Sequence, residues 1–397
     1  LETPIKKRIG PVDFIVSWGH YRRFHRLAPD QRSIVFYSES GQDWHHFEPL
    51  VNYLVHDLSR TVCYVTSDPQ DPGLQPTSER LHSFYIKEGY WQILFFQFIK
   101  ADVMVLTMID LGVFHLKRSI NAVHYIYIFH AMGSTHMVDY ENSYDNYDTL
   151  FCVGPHQMRE IRRREELKGL PAKQLFAHGY ARVEQLRERA ARAADDAPGS
   201  HTQPAILLAP TWGADSILPV CGERLAGILL DAGFRLILRP HYQTLKLTPG
   251  VVDAILKKYG SNRNLEYIKN MGDVDSLLES DLLICDWSST SIEYALALEK
   301  PVLYIDVPRR VRNPRYKELG IEPMEVAIRN EIGAVLDPGE LEKAPEVIRK
   351  LLSDKERFAH TISDLREKVV FNFGNSVQAG AREIARIADA LKTGRAN

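Results

Sequence analysis

Two Rossmann-like, doubly wound α/β domains are the architecture this sequence predicts, on three observations. Short β-branched and aromatic runs alternate with helical patterns along most of its length, the mark of βα units that build parallel sheets. A stretch at 191–204, ARAADDAPGSHTQP, is poor in large apolar residues and divides that alternation in two. The chain has 397 residues, more than one hydrophobic core usually serves.

The elements follow in order. In the first half, strands are expected over 12–18 (VDFIVSW), 33–38, 61–67, 102–108, 124–130, 149–154 and 174–179, with helices over 42–58 and 155–168. After the divide come strands over 205–210, 234–240 and 264–268, and helices near 215–232 and 250–260. Next is DLLICDWSSTSIEYALALEKPVLYID at 281–306, read as strand, polar turn, helix and strand, then helices to the end. The expected boundaries are a first domain over 1–193, a linker over 194–204 and a second domain over 205–375. A helix over 376–397 is expected to cross back to the first domain. Two such domains would face each other across a cleft.

Bulk chemistry narrows the function. Hydrophobic content of 45% and charged content of 25% suit a soluble globular protein, and a net charge of -2 gives no general attraction to nucleic acid. Cys63, Cys152, Cys221 and Cys285 are scattered without CxxC or Cys/His spacing, which argues for reduced thiols, a cytoplasmic setting, and no zinc or other metal site. No secretory signal is visible, and no run reaches the roughly 18 apolar residues of a spanning helix. The chain starts at Leu1 rather than Met, as a trimmed or excised domain would. GYWQILFFQFIK (89–100) reads as a core helix or as a face lying on a membrane, and REIRRREELKGL (159–170) as a solvated helix face.

In open parallel sheets ligands sit beyond the carboxyl ends of strands, so the polar residues there carry the functional reading. Asp286, Ser288, Ser289 and Thr290 stand where a helix follows a buried strand. They either cap that helix or, with its free N–H groups and dipole, seat a phosphate. Thr211 and Trp212 follow the strand at 205–210, while Arg239 and His241 follow the one at 234–240, suited to charge-assisted bonds with phosphate. Three strand ends of one sheet with anion-compatible groups favour a diphosphate rim. In the first domain His130 ends a strand, followed by Gly133, Ser134 and His136. An imidazole there suits general-base work, with His136 the weaker candidate and His115 and Lys117 as candidates for an acceptor channel.

The blocks FHAMGST (129–135), HGYARVEQL (178–186), LLAPTWGAD (207–215), LILRPHY (236–242), DLLICDWSSTSIEYALALEKPVLY (281–304) and FGNSVQAGAREIARI (373–387) come in an order that resembles the CDP-glycerol glycerophosphotransferase family, the teichoic acid primases and polymerases. The resemblance covers residues 124–390. It implies a GT-B fold, with an N-terminal acceptor domain and the donor held mainly by the C-terminal one. The implied reaction moves glycerol phosphate from CDP-glycerol to a hydroxyl of a lipid-linked or glycan acceptor, releasing CMP, with no cofactor and with peripheral contact at the inner membrane face. It makes His130 the base, Arg239 and His241 phosphate ligands, and Asp286, Ser288 and Ser289 the donor-phosphate block. Thr211 and Arg182 fall on further motifs, with Glu293 beside them as a cleft candidate. The sequence departs from the family pattern at Ala131, Ala181, Tyr242 and Trp287, where Gly, Pro, Pro and Tyr are usual. The rival readings are a GT-B transferase using a CMP- or UDP-sugar, a UDP-sugar epimerase, and a catalytically silent nucleotide-binding module.

Overall fold

The computed structural model describes residues 11–112, 115–196, 203–270 and 274–396. Two all-parallel sheets organise them. The first is ordered β3-β2-β1-β4-β5-β6-β7, with β1 Ile34–Ser38, β2 Val62–Thr66, β3 Leu81–Tyr85, β4 Val103–Leu106, β5 His124–Ile128, β6 Thr149–Cys152 and β7 Gln174–Ala177. The second is ordered β10-β9-β8-β11-β12-β13, with β8 Ala205–Leu208, β9 Arg235–Leu238, β10 Leu265–Tyr267, β11 Leu282–Cys285, β12 Val302–Ile305 and β13 Gly333–Leu336. Each follows the doubly wound order, in which the connections reverse direction between the first and fourth strands. That reversal lies between β1 and β4, where Phe36 pairs with Val105, and between β8 and β11, where Leu208 pairs with Ile284.

Both sheets are apolar on both faces, as parallel sheets covered by helices require. The runs VCYVT, VMVL, AILL, LLIC and VLYI are buried throughout. Two compact units result. One holds residues up to 130, 139–181 and those from 371 on; the other holds 131–138 and 182–370.

In the first unit the helix Ser376–Ala396 supplies Ala381, Ile384, Ala385, Ile387 and Ala388 to a core that contains Phe36, Phe47, Leu50, Leu54 and Val105. Two glycines let the chain close there. Gly179 has φ +99°, and a Cβ on it would stand 2.2 Å from the Phe371 carbonyl oxygen. A Cβ on Gly380 would stand 2.5 Å from Nε2 of buried His178.

Four differences from the sequence reading have physical reasons. The expected strand at 12–18 is part of the helix Pro11–Arg26. Its first turn carries Asp13 and its last turn Arg23, His25 and Arg26, charges that suit the helix dipole. The apolar run looked like a strand because most of it is not core: Phe14, Ile15, Val16 and Trp18 are exposed, while Ser17 and Phe24 are buried. Strands β3 and β13 were not anticipated. Both are sheet edges; LHSFY is interrupted by His82 and Ser83, and GAVL opens on the small residues Gly333 and Ala334, which carry little strand signal. The expected linker at 194–204 begins inside the helix Ala181–Asp196, its residues 197–202 lie outside the described residues, and β8 opens at Ala205.

The segment read as core or membrane face is the helix Tyr90–Phe98, which buries Trp91, Phe95 and Phe96 and exposes Tyr90 and Phe98. The basic run lies on the helix Pro155–Lys168, where Arg162, Arg163, Arg164 and Lys168 pair with Glu165, Glu166, Asp145 and Glu141. Among the described residues no helix is long and apolar enough to cross a membrane.

Candidate active site

In the second unit, the crevice between β8 and β11 is tied together by one carboxylate. Asp286, 1% exposed, accepts from the backbone N–H of Thr211 at 2.8 Å, of Ile217 at 3.2 Å and of its neighbour Trp287 at 2.7 Å. Its oxygens thus hold the two strand-end loops in register, so the expectation of a direct phosphate contact gives way to a shaping role. The Asp286 carbonyl accepts from Arg329 at 2.9 Å, whose guanidinium also bonds Asp306 at 2.8 Å and lies 3.4 Å from the Trp287 ring centre. Burial lowers the Arg329 pKa from its usual value. Trp287 in turn donates from its indole to the Val307 carbonyl at 2.9 Å, so a larger aromatic than the family's tyrosine is fully anchored here.

The polar turn resolves the question of capping. Ser289 opens the helix Thr290–Leu298 but makes no side-chain cap bond, and Ser288 Oγ accepts only a long 3.3 Å bond from the Thr290 N–H. Ser288, Ser289 and Thr290 are all half-buried. This helix start therefore keeps small hydroxyls at its dipole's positive end with little internal use for them.

Beyond β9, His241 caps the short helix Tyr242–Leu247 by accepting from the Gln243 N–H at 3.1 Å through Nδ1. A ring whose Nδ1 accepts carries its proton on Nε2, so His241 offers one N–H donor. Burial, and next the charge of Arg310, depress its pKa to about 4, so at neutral pH it is an uncharged donor rather than a cation. Trp212 lies 6.1 Å from the His241 ring, and Arg310 lies 4.5 Å above Trp212. Burial and the nearby Arg312 lower the Arg310 pKa. Arg309, Arg310 and Arg312 follow β12 and were not singled out from sequence. The strand-end criterion finds them when it is applied to β12 as well.

Arg239, by contrast, is 4% exposed and bonds the Ser276 hydroxyl at 3.0 Å. It braces the helix Asp275–Glu279 from inside. Arg182 pairs with buried Glu293 at 2.8 Å, so those two cleft candidates neutralise each other. The loop 131–138 belongs to this second unit. Ser134 accepts from the Met324 N–H at 2.6 Å and its own N–H bonds Glu325 at 2.9 Å. His136 is buried against the Ile321 carbonyl at 3.1 Å. Gly133, Ser134 and His136 therefore dock the loop, and His136 has no exposed ring with which to act as a base.

In the first unit His130 follows β5 and is exposed. Its Nδ1 lies 3.2 Å from the Tyr127 hydroxyl, its carbonyl accepts from Tyr180 at 3.0 Å, and the His46 ring is 6.2 Å away. Asp43 shares this neighbourhood: burial raises its pKa and the charge of His130 opposes that rise. Beside it Glu39 is pushed up to about 7 by burial and by Asp110, Asp43 and Glu88. These groups follow β1 and β4, at the reversal point of the first sheet. SESGQDWHH (38–46) carries Glu39, Asp43 and His46 directly beyond β1, a strand-end signal that the sequence holds. His115 and Lys117 are exposed.

Two Rossmann-ordered sheets, each with polar and aromatic groups gathered beyond its strand ends at the point of reversal, place the chain in the GT-B class of α/β proteins. It belongs to the CDP-glycerol:poly(glycerophosphate) glycerophosphotransferase family, whose model matches residues 20–307. The match begins further toward the N-terminus than the motifs at 124–390 suggested and ends just beyond β12. Membership makes this a transferase of glycerol phosphate from a CDP-activated donor.

Among solved structures, the wall teichoic acid polymerase TagF aligns over 96% of this chain and 99% of its own, at 16% identity and a TM-score of 0.60. The UDP-GlcNAc 2-epimerase of Methanocaldococcus jannaschii covers 90% and 99%, at 14% identity and 0.56. The sucrose-phosphate synthase of Thermosynechococcus elongatus covers 90% and 99%, at 12% identity and 0.52. These likenesses are likenesses of fold. No curated protein matches the chain.

Proposed function

We propose that the protein transfers glycerol phosphate from CDP-glycerol to a hydroxyl of a lipid-linked or glycan acceptor in the synthesis of a cell-surface polymer of the teichoic acid kind. The acceptor oxygen forms a bond to the phosphorus nearest glycerol, the bond from that phosphorus to CMP breaks, and His130 receives the acceptor's proton. The donor diphosphate lies on the rim beyond β8, β9, β11 and β12. There the hydroxyls of Ser288, Ser289 and Thr290, the His241 N–H and the Arg310 guanidinium oppose the charge that gathers on the leaving CMP. The observation that carries this reading is the Asp286 clamp on Thr211, which holds a donor-rich helix start open at the reversal point. A structure of the polymerase TagF has been obtained after a soak with CDPG, and that fold neighbour makes CDP-glycerol the donor to test first.

Calorimetric titration and a CMP-release assay divide the roles. His130→Ala is expected to abolish release while binding CDP-glycerol as before. Arg310→Ala is expected to weaken binding roughly 10- to 100-fold, the worth of a charge-assisted bond. Unchanged turnover in the first variant removes His130 from the chemistry. Tighter binding of a UDP-sugar than of CDP-glycerol replaces the donor.

A lipid-linked acceptor calls for contact with a bilayer surface, and the helices Pro11–Arg26 and Tyr90–Phe98 offer one. Phe14 packs on Trp91 at 4.9 Å, and Phe14, Ile15, Trp18 and Tyr90 stay exposed around it, with Arg22 5.5 Å from the Trp18 ring. An aromatic patch edged by a cation fits the headgroup region. Sedimentation with phosphatidylglycerol vesicles is expected to carry the protein down, and Ile15→Ser with Trp18→Ser to leave it in solution. Equal pelleting of both forms argues against this face.

A further inference from the structure

Beyond the strand ends of the second sheet four side chains form a continuous file. Arg310 reaches from the end of β12 across the reversal to Trp212, beyond β8, and lies 4.5 Å from its ring centre. Trp212 lies 6.1 Å from the His241 ring at an interplanar angle of 38°, and His241 carries Tyr242 stacked on it at 5.0 Å and 28°. Because β9 stands between β8 and β10, the file starts with a cation at the reversal and steps outward over one half of the sheet. Tyr242, at its outer end, is 56% exposed. Exposure alone says little of a tyrosine, but this ring is held in place. One face rests on His241, and Gln243 Nε2 donates to the Tyr242 hydroxyl at 2.7 Å. His241 in turn is fixed by the cap bond it accepts from the Gln243 N–H. An aromatic ring whose direction is set beforehand takes a flat ligand at little cost in side-chain freedom.

We infer that Tyr242 is the stacking platform for the nucleobase of the donor, the residue that lets the site grip a nucleoside diphosphate more tightly than a bare diphosphate. The inference rests on the reading of the strand-end rim as the diphosphate seat. In a doubly wound sheet a nucleotide sets its phosphates at the reversal and lays its nucleoside over one half of the sheet. The half over which this file runs is β8, β9 and β10, and Tyr242 is the ring at its outer end. One ribose separates phosphate from base, as one stacking step separates the His241 imidazole from the Tyr242 ring. Stacking on an aromatic face tolerates any base, since each has a π-face. Tyr242 therefore supplies affinity for the base and leaves the choice of cytosine to hydrogen bonds at the base's edge.

Calorimetric titration of the full chain with CDP, UDP and inorganic pyrophosphate reads base and diphosphate separately. Tyr242→Ala, a change at an exposed position, is expected to weaken CDP by about 10-fold, the worth of one base–aromatic stack, and to leave pyrophosphate binding as it was. Tyr242→Phe keeps the ring and drops the hydroxyl, and is expected to bind CDP within about twofold of the unmodified protein. Proton NMR of the bound nucleotide adds a mark that a merely structural role would not move. The cytosine C5 and C6 protons are expected to shift upfield under the facing ring, and the shift to shrink in Tyr242→Ala. Equal losses of CDP and pyrophosphate in Tyr242→Ala overturn the platform, as does an unaltered affinity for CDP, which leaves the donor reading in place. Tighter binding of UDP than of CDP, with the same dependence on Tyr242, upholds the platform and removes the cytidine donor. Failure of the unmodified protein to bind either nucleotide overturns both.

Discussion

His178 shows how a single buried group ties stability to pH. It is 3% exposed beside the helix Ser376–Ala396, and burial depresses its pKa from 6.5 to about 4. A base whose folded pKa is depressed binds fewer protons folded than unfolded between those two values, so stability rises with pH across that window. The contribution is complete above about pH 6.5 and is lost as pH falls toward 4, to an extent of about 3 kcal/mol. Urea midpoints measured from pH 7 to pH 4 are expected to decline, with a shallower decline in His178→Gln. Parallel slopes for the two proteins would mean that His178 titrates alike in both states. His241, pushed to about 4 as well, is only half-buried, and in the proposed function its neutral ring bears on donor binding more than on stability. Its residue type was legible from the sequence as a strand-end imidazole. Its charge was not, because that depends first on burial and then on Arg310, which is 69 positions away in the chain and folds in against the same aromatic ring.

Among elements, the turn HGYAR repays attention, since a family pattern with Gly at this position has a plain steric cause here. Gly179 stands at φ +99°, where an L side chain is strained, and its missing Cβ makes room for the Phe371 carbonyl. Gly179→Ala adds that strain to a 2.2 Å collision and is expected to lower the free energy of unfolding by about 3 kcal/mol, read from thermal or urea melts. A loss below about half a kcal/mol would show that the chain from Phe371 onward yields without cost. The central strands were legible because burial on both faces writes them as continuous apolar runs. The edge strands β3 and β13 were not, since an edge needs fewer apolar side chains and a lone short run has no period of its own. The helix Pro11–Arg26 was misread for the converse reason: its exposed Phe14, Ile15, Val16 and Trp18 carry the composition of a strand without a strand's burial.

The two compact units are not continuous segments of chain. Residues from 371 on complete the first, and 131–138 belong to the second through the bonds of Ser134 and His136. Removing 371–397 would strip Ile384 and Ile387 from the core around Leu50, Val51 and Leu54. Two isoleucines and their smaller neighbours amount to roughly 5 kcal/mol, comparable to the whole stability of an ordinary domain. The shortened protein is expected to expose hydrophobic surface to a dye and to lose its cooperative melt. A sharp transition at the original temperature would show that the first unit stands without its last helix. From the residues alone came the α/β class, the central strands, the family and most of the strand-end groups, because parallel strands and their terminal loops are local patterns that periodicity and composition record. Only the folded chain decided that Asp286 accepts from the Thr211 and Ile217 backbone, that Arg239 and His136 turn inward, and that Arg310 stands over Trp212. Those outcomes depend on which distant segment arrives to bury or neutralise a polar group, and no neighbouring residue in the sequence records that arrival.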